Sequence, residues 1–531
     1  MEGFPAALRY SRGTAVQVKE LKERLLGSSE LALLDAREQG VHYRGHPFFA
    51  CSAPLSRLEL MIDDLVPRRS VPVVFLDGGD EGLAQQAAAR LKGLGYTDVS
   101  VLEGGCAAWQ AAGGELFSGV NVPSKAFGEF VEHHYDTPRI PPEELKGILE
   151  RKETAVVLDS RPLEEYQRMC IPGGIDVPGA ELVWRARELA PDPDTLIVVN
   201  CAGRTRSIIG CQSLRNAGIP NRVVALKDGT MGWELAGYKS ERGATRFAPT
   251  PSGNSRSWAM AAAQEVARRF GVKFVEPRTV REWQRDGMRT LYLLDVRTRE
   301  EFEGGHLAGS RHAAGGQLVQ AGDEYVGVRN ARVVLIDPER VRAIMTASWL
   351  NQMGWSDVHV LERIDGFDIE RGARQAKVLG LEKWETVREP EGAVLDFSTS
   401  LRFAQRHIPG AWWVVRSRLH EALAKIGSVP HLVLTSEEGS LAHLAARQVQ
   451  DLWKGAKVRV LDGGNAAWFA RGGAQETGVE RATTTRDDVW YKPYDHETSD
   501  YEKHAREYLS WEVALVEQIK REPAIRFRRY P

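Results

Sequence analysis

Cysteine is scarce in this chain: five residues in 531, at Cys51, Cys106, Cys170, Cys201 and Cys211. An odd number at irregular spacing is not a disulfide framework, and no pair has zinc-finger spacing. Neither a disulfide framework nor a zinc-finger site is therefore expected. An excess of charge of one sign is also missing. Lys plus Arg total 70 against 72 Asp plus Glu, a formal net charge of −2. That balance argues against a chain built to coat nucleic acid or anionic membrane. No stretch of 18 apolar residues occurs, and the N-terminal MEGFPAALRYSRGTAVQV has no apolar signal-peptide core. Neither a membrane span nor secretion is expected. The expectation is a reducing compartment, most simply the cytoplasm, in which thiols stay free.

What the chain does have is length for three to four domains and a hydrophobic fraction of 43%, enough for a core in each. One unit recurs. Leu33–Arg37 (LLDAR), Val157–Arg161 (VLDSR), Leu293–Arg297 (LLDVR) and Val394–Ser398 (VLDFS) are apolar strands ending in Asp35, Asp159, Asp295 and Asp396. These are buried parallel strands whose carboxyl ends meet a loop. In each copy a second apolar strand follows, ending at Asp77, Cys201, Asp337 or Ser436, then a helical stretch, then a third strand with a closing turn. A repeat this long is a whole domain in tandem. Alternating strand and helix means βαβ units and a parallel sheet covered by helices on both faces. The copies span 10–117, 136–243, 271–375 and 378–475. The segment 476–531 is not a fifth copy, contains a helix near Glu502–Arg521, and is expected to pack on the preceding domains. The third and fourth copies have almost no linker, so close packing between them is expected.

Among the strand ends, only the second carries a nucleophile. Cys201 closes LIVVNC and opens the loop Cys201-Ala202-Gly203-Arg204-Thr205-Arg206, with a helix starting near Ser207. The carboxyl edge of a parallel sheet is where α/β proteins bind ligands. Backbone N–H groups at a helix start favour negative charge and lower a thiol's pKa. Gly203 lets the backbone curl, and Arg204 and Arg206 add positive charge. The loop is built for a thiolate and for an anionic substrate. At the other three strand ends stand Asp77, Asp337 and Ser436, none of them a thiol.

Together the marks VVLDSRPLEEYQRMCIPGGIDVP, LIVVNCAGRTRS and LKDGTMGW resemble the rhodanese family of sulfurtransferases, and the resemblance extends over four consecutive rhodanese-like domains. It implies α/β domains with flanked parallel sheets and one active site, in the second domain. It also implies that the Cys201 thiolate takes the outer sulfur of thiosulfate or a similar small anionic donor as a persulfide and gives it to cyanide or a thiol, with a protein thiol as a further possible acceptor. Ala202, Gly203, Arg204, Thr205 and Arg206 would bind the substrate. The family's His before Ile-Pro-Gly is kept as His306 and His407, with His46 in the corresponding place, and is replaced by Cys170 in the second domain. This marks a structural position, with a redox or disulfide role for Cys170 as the alternative.

Asp159 and Arg161 could form an acid/base pair. The same pattern in copies lacking the cysteine favours a structural clamp. Cys51 and Cys106 are expected to be small core fillers, and Cys211 could act as a resolving thiol. Trp109, Trp233 and Trp468 recur after the closing turn and are expected to pack there. Two other functions stand beside sulfur transfer. One is a regulatory or scaffolding protein with Cys201 as redox sensor. The other is a phosphatase or arsenate reductase, which fits less well because that chemistry wants Cys-x5-Arg and position 207 is serine. The chain could be a monomer or a homodimer.

Overall fold

The computed structural model describes residues 14–496 and 499–531. Tyr10, where the first repeat is expected to begin, lies outside them. In each repeat five parallel strands pair in the order first, fifth, fourth, second, third. In the second repeat these are Arg139–Ile140, Val223–Leu226, Leu196–Asn200, Ala155–Asp159 and Ile175–Asp176. The central strands are Val, Ile and Leu runs, and Val73–Leu76 and Val223–Leu226 are buried along their whole length. Helices on both faces leave no solvated side, so continuous apolar runs replace alternation.

The aspartate ending the second strand is buried in all four copies. In the first three it is clamped by the arginine two residues on. Arg161 Nε donates to Asp159 Oδ1 at 2.8 Å and Nη2 to Oδ2 at 2.7 Å. The same guanidinium then donates to the Met169 carbonyl at 2.5 Å. Arg37 and Arg297 repeat this on Asp35 and Asp295, and on the carbonyls of Gly45 and Gly305. One side chain thus ties a strand end to the chain eight residues later. Two copies that lack the cysteine carry the same clamp, so its geometry does not depend on a thiol at the neighbouring strand end.

The next position is the family histidine. His306 stacks on Phe302 with ring centres 3.7 Å apart, and His407 on Phe403 at 3.8 Å. His46 stacks on His42 at 3.6 Å. Cys170 takes this place in the second copy, buried against Tyr166 and Ala244. Trp109, Trp233 and Trp468 each donate their indole N–H to a carbonyl six residues on, those of Glu115, Lys239 and Ala474. They pin the chain that leaves the closing turn.

The chain forms two compact units. One holds residues 1–21, 31–120 and 376–491, and the other holds 22–30, 121–375 and 492–531. The fourth repeat therefore shares a unit with the first, and the third with the second. The third and fourth, for which close packing is expected, fall in different units. Buried ion pairs join the repeats within each unit. Glu59 of the first repeat meets Arg416 of the fourth at 2.9 Å. Arg342 of the third is wholly buried, 2.6 Å from Glu301, 2.8 Å from Asp337 and 3.3 Å from Glu181 of the second. Its helix, Val341–Gln352, is buried on every side, and Trp349 donates to Ser213 Oγ of the second repeat at 2.9 Å.

Replacing Arg342 by alanine would strand the four acidic groups that it now compensates, Glu181, Glu301, Asp337 and Glu339. Arg342→Ala is expected to lower the stability of its unit by about 3 kcal/mol, measured as a lower denaturant midpoint with an unchanged far-ultraviolet spectrum in buffer.

Candidate active site in the second repeat

The strand Leu196–Asn200 ends in the cysteine loop, and the helix Thr205–Asn216 follows. Asn200 is buried and donates to Asp159 Oδ2 at 2.9 Å and to Thr230 Oγ1 at 3.0 Å, which joins the strand end to the clamp and to the closing turn. The turn supports the loop from below. The amides of Thr230 and Met231 donate to the carbonyls of Cys201 and Ala202 at 2.8 and 2.9 Å. Gly229, at φ 57°, has to be glycine, because a Cβ there would lie 2.4 Å from the Cys201 carbonyl oxygen and 2.6 Å from that of Gly203. Cys201 is 2% exposed. Its Sγ lies 3.6 Å from Ser207 Oγ, whose hydroxyl donates to the Arg204 carbonyl at 2.8 Å.

The copies without the cysteine show what this position favours. Asp77 takes the amide of Gly79 on one oxygen at 2.9 Å and that of Ala84, at the start of the following helix, on the other at 3.0 Å. Asp337 takes the amide of Arg342 at 2.8 Å. In the fourth copy Ser436 Oγ accepts from the Ala442 amide at 3.4 Å. Free N–H groups at a helix start thus converge on the side chain that ends the strand. The first and third copies fill the position with their own carboxylate, and the second copy places a thiol there.

Comparison with known proteins agrees with this geometry. The family described as Rhodanese-like domain matches residues 17–112, 141–236, 276–363 and 381–471. The chain belongs to the rhodanese family. It is similar to a solved structure of thiosulfate sulfurtransferase from Pseudomonas aeruginosa, 48% identical, with 98% of this chain and 100% of that one covered and a TM-score of 0.93. It is also 41% identical over 100 residues to the HTH-type transcriptional regulator Rv0324 of Mycobacterium tuberculosis, covering 18% of this chain. The match spans only 43% of that regulator's length.

Within this rhodanese loop both arginines are engaged by acids. Arg204 is buried and donates to Glu129 at 2.7 and 2.8 Å, to Glu132 at 2.6 Å and to Asp228 at 3.1 Å. Arg206 donates to Glu165 at 2.7 and 3.3 Å and to Gln317 at 3.1 Å. Burial pushes the Glu165 carboxyl up, but Arg206 and Lys492 outweigh it and hold the group well below the usual carboxylate range. The third copy repeats the Arg206 arrangement: Arg342, five residues after Asp337, pairs with Glu301 and also donates to Asp337 Oδ1 at 2.8 Å. An arginine at this spacing therefore reaches the side chain at the cysteine position. Arg204, with three acidic partners, anchors the loop to the helix Val122–Tyr135.

The sequence reading missed Glu129, Glu132, Glu165 and the whole C-terminal helix as neighbours of the loop. Glu165 had a signal, since it belongs to the Glu-aromatic pair shared with Glu301-Phe302. The other acids had none, because they lie in a linker outside the repeat. The remaining cysteines are buried and form no disulfide. Burial pushes the thiols of Cys170, Cys106 and Cys211 up, to about 11, about 12 and about 12 respectively, away from thiolate chemistry. No group of residues among those described could hold a metal ion, and no described helix is long and apolar enough to cross a membrane.

Asp176 is another buried acid near the clamp. Neither of its oxygens has a partner among the described residues. At the same place in the third and fourth copies, His312 and Trp413 face the carbonyls of Arg297 and Ser398 at 3.0 and 2.8 Å. A ring N–H suits such a carbonyl, and so would a protonated carboxyl. Burial, with the Asp159 charge adding to it, pushes Asp176 up to about 8. The folded chain then binds a proton that the unfolded chain has lost, so stability falls as pH rises from the ordinary carboxyl range through about 8. Asp176→Asn is expected to remove that loss. Its melting temperature should exceed the parent's by a margin that grows between about pH 4 and about pH 8.

Proposed function

We propose that this rhodanese is a sulfurtransferase that carries a sulfane sulfur from thiosulfate, or a similar anionic donor, through a persulfide on Cys201 to cyanide or a thiol. The observation that carries the reading is a thiol standing where two silent copies hold a carboxylate on helix-start amides. A site that favours a carboxylate favours a thiolate, and then the terminal sulfur anion of a persulfide. The likeness along the full length to a thiosulfate sulfurtransferase supports thiosulfate as the donor.

The reaction follows in two halves. The Cys201 thiolate attacks the outer sulfur of thiosulfate, and the S–S bond of the donor breaks. Sulfite leaves with the bonding electron pair, and Cys201 keeps the sulfur as a persulfide anion. Cyanide then attacks the outer persulfide sulfur, the new S–S bond breaks, thiocyanate leaves and the thiolate returns. Charge balances in both halves. The amides of the loop Ala202–Arg206 hold the anion in each state. Arg206 compensates it at the rim, and Arg204 holds the loop's shape. The first, third and fourth repeats are proposed to be silent in transfer, and the cytoplasm remains the proposed location.

Cys201→Ala should lower thiosulfate:cyanide transfer by about 10³-fold or more. The parent should show parallel double-reciprocal lines. Mass spectrometry after thiosulfate treatment should place one added sulfur on the peptide containing Cys201. A Cys201→Ala chain that kept full activity would sink the assignment. Arg206→Met should raise KM for thiosulfate about tenfold, with a smaller effect in the cyanide half-reaction. Stopped-flow measurement of each half-reaction separates the two.

A further inference from the structure

The cysteine loop is covered by a helix that lies outside the rhodanese repeats. The helix Tyr501–Ile519 turns Tyr501, Ala505, Tyr508, Leu509, Glu512 and Leu515 inward, at helical spacing. Ala505 and Glu512 are fully buried. Ala202 of the loop and Met231 of the closing turn form one cluster with Ala505, and Tyr494, Tyr501, Tyr508 and Leu509 pack against it. A Cβ on Gly203 would come within 3.1 Å of Glu512 Oε2, 3.3 Å of Tyr508 and 3.5 Å of Leu509, so the helix rests directly on the loop backbone. Glu512 fastens it there. Its Oε1 accepts from Thr205 Oγ1 at 3.1 Å and lies 2.9 Å from Lys125 Nζ. The segment before the helix is fastened too, by Arg168 to Asp495 at 2.7 Å and by Lys492 to Glu165 at 3.5 Å.

We infer that this helix is the selectivity element of the Cys201 site, a roof that admits small donors and acceptors and shuts out the thiol of a folded protein. The inference rests on the sulfur-transfer reading above. Two scales of motion separate the two classes of partner. Tyr508 and Leu509 are only partly buried, so a turn of these two side chains disturbs far less of the packing than departure of the whole helix. Such a turn opens a gap wide enough for thiosulfate, sulfite or cyanide. A cysteine on a protein surface needs the helix itself to leave, which breaks the Lys125–Glu512–Thr205 linkage and exposes the cluster around Ala202. The roof also supplies surroundings that a small anion tolerates, since the phenol of Tyr508 donates to Glu512 at 3.1 Å and leaves its ring over the loop.

The test uses the full chain, the Leu509→Ala variant and the Tyr508→Ala/Leu509→Ala double variant. Each is loaded with sulfur from thiosulfate, freed of excess donor, and mixed with cyanide, with glutathione and with a small reduced protein thiol. The parent should discharge to cyanide fastest and to the protein thiol not at all. The double variant should raise the glutathione-to-cyanide rate ratio about tenfold and gain discharge to the protein thiol. Leu509→Ala, a single truncation that keeps the fold, should move the ratio in the same direction. An unchanged ratio would overturn the inference, and so would an equal rise for every acceptor, which marks a simple block. A second readout needs no catalysis. Iodoacetamide should label Cys201 in the parent while a polyethylene-glycol maleimide does not, and the double variant should take both. That labelling pattern without sulfur uptake from thiosulfate would leave the roof standing and defeat the sulfur-transfer reading instead.

Discussion

Backbone amides at a helix start, aimed at the side chain that ends the preceding strand, are the constraint around which each repeat is organised. The parallel sheet brings the strand end to that point, and the closing turn carries the loop carbonyls so that the amides are left for the side chain. Whatever occupies the position has to answer a concentrated positive potential. Asp77 and Asp337 answer with a fixed carboxylate that accepts from backbone amides. Cys201 places a buried thiol at the same position. A copy that lacks the cysteine can keep its fold, because the carboxylate satisfies amides that would otherwise be left bare.

The arginines tell a related story about compensation. Arg204 and Arg206 add charge to the loop in sequence terms, yet each is met by acids in the fold. The same logic governs the large-scale arrangement. Arg342 and Arg416 are buried cations that would be costly alone. Arg342 meets Glu301, Asp337 and Glu339 of its own repeat and Glu181 of the second, and Arg416 meets Glu59 of the first.

Much of this was legible in the sequence. The four strand-Asp marks gave the repeats, the strand-loop-helix order around Cys201 gave the sheet edge, and the recurrence of Asp-x-Arg in copies without a cysteine gave the clamp. These are local signals, readable within a few residues. What could not be read was set by contacts far apart in the chain. Glu129 reaches Arg204 from a linker, Glu512 reaches Thr205 from the other end of the protein, and Arg416 reaches Glu59 across two intervening repeats. No spacing rule connects such pairs. The substitution at Cys170 was legible as a structural place because histidines hold it elsewhere, and the stacking of His306 and His407 on aromatic rings supplies the reason it is structural.

The covering helix has a consequence in time. Cys201 is synthesised about 300 residues before Tyr501, and at usual rates of about 5–20 residues per second that is roughly 15 seconds to a minute. Domains fold as they emerge, so the second repeat can assemble its thiol cradle well before the segment that closes over it exists. The loop and its cover are thus completed in two separate stages of synthesis, and the contact of Glu512 with Thr205 belongs to the second.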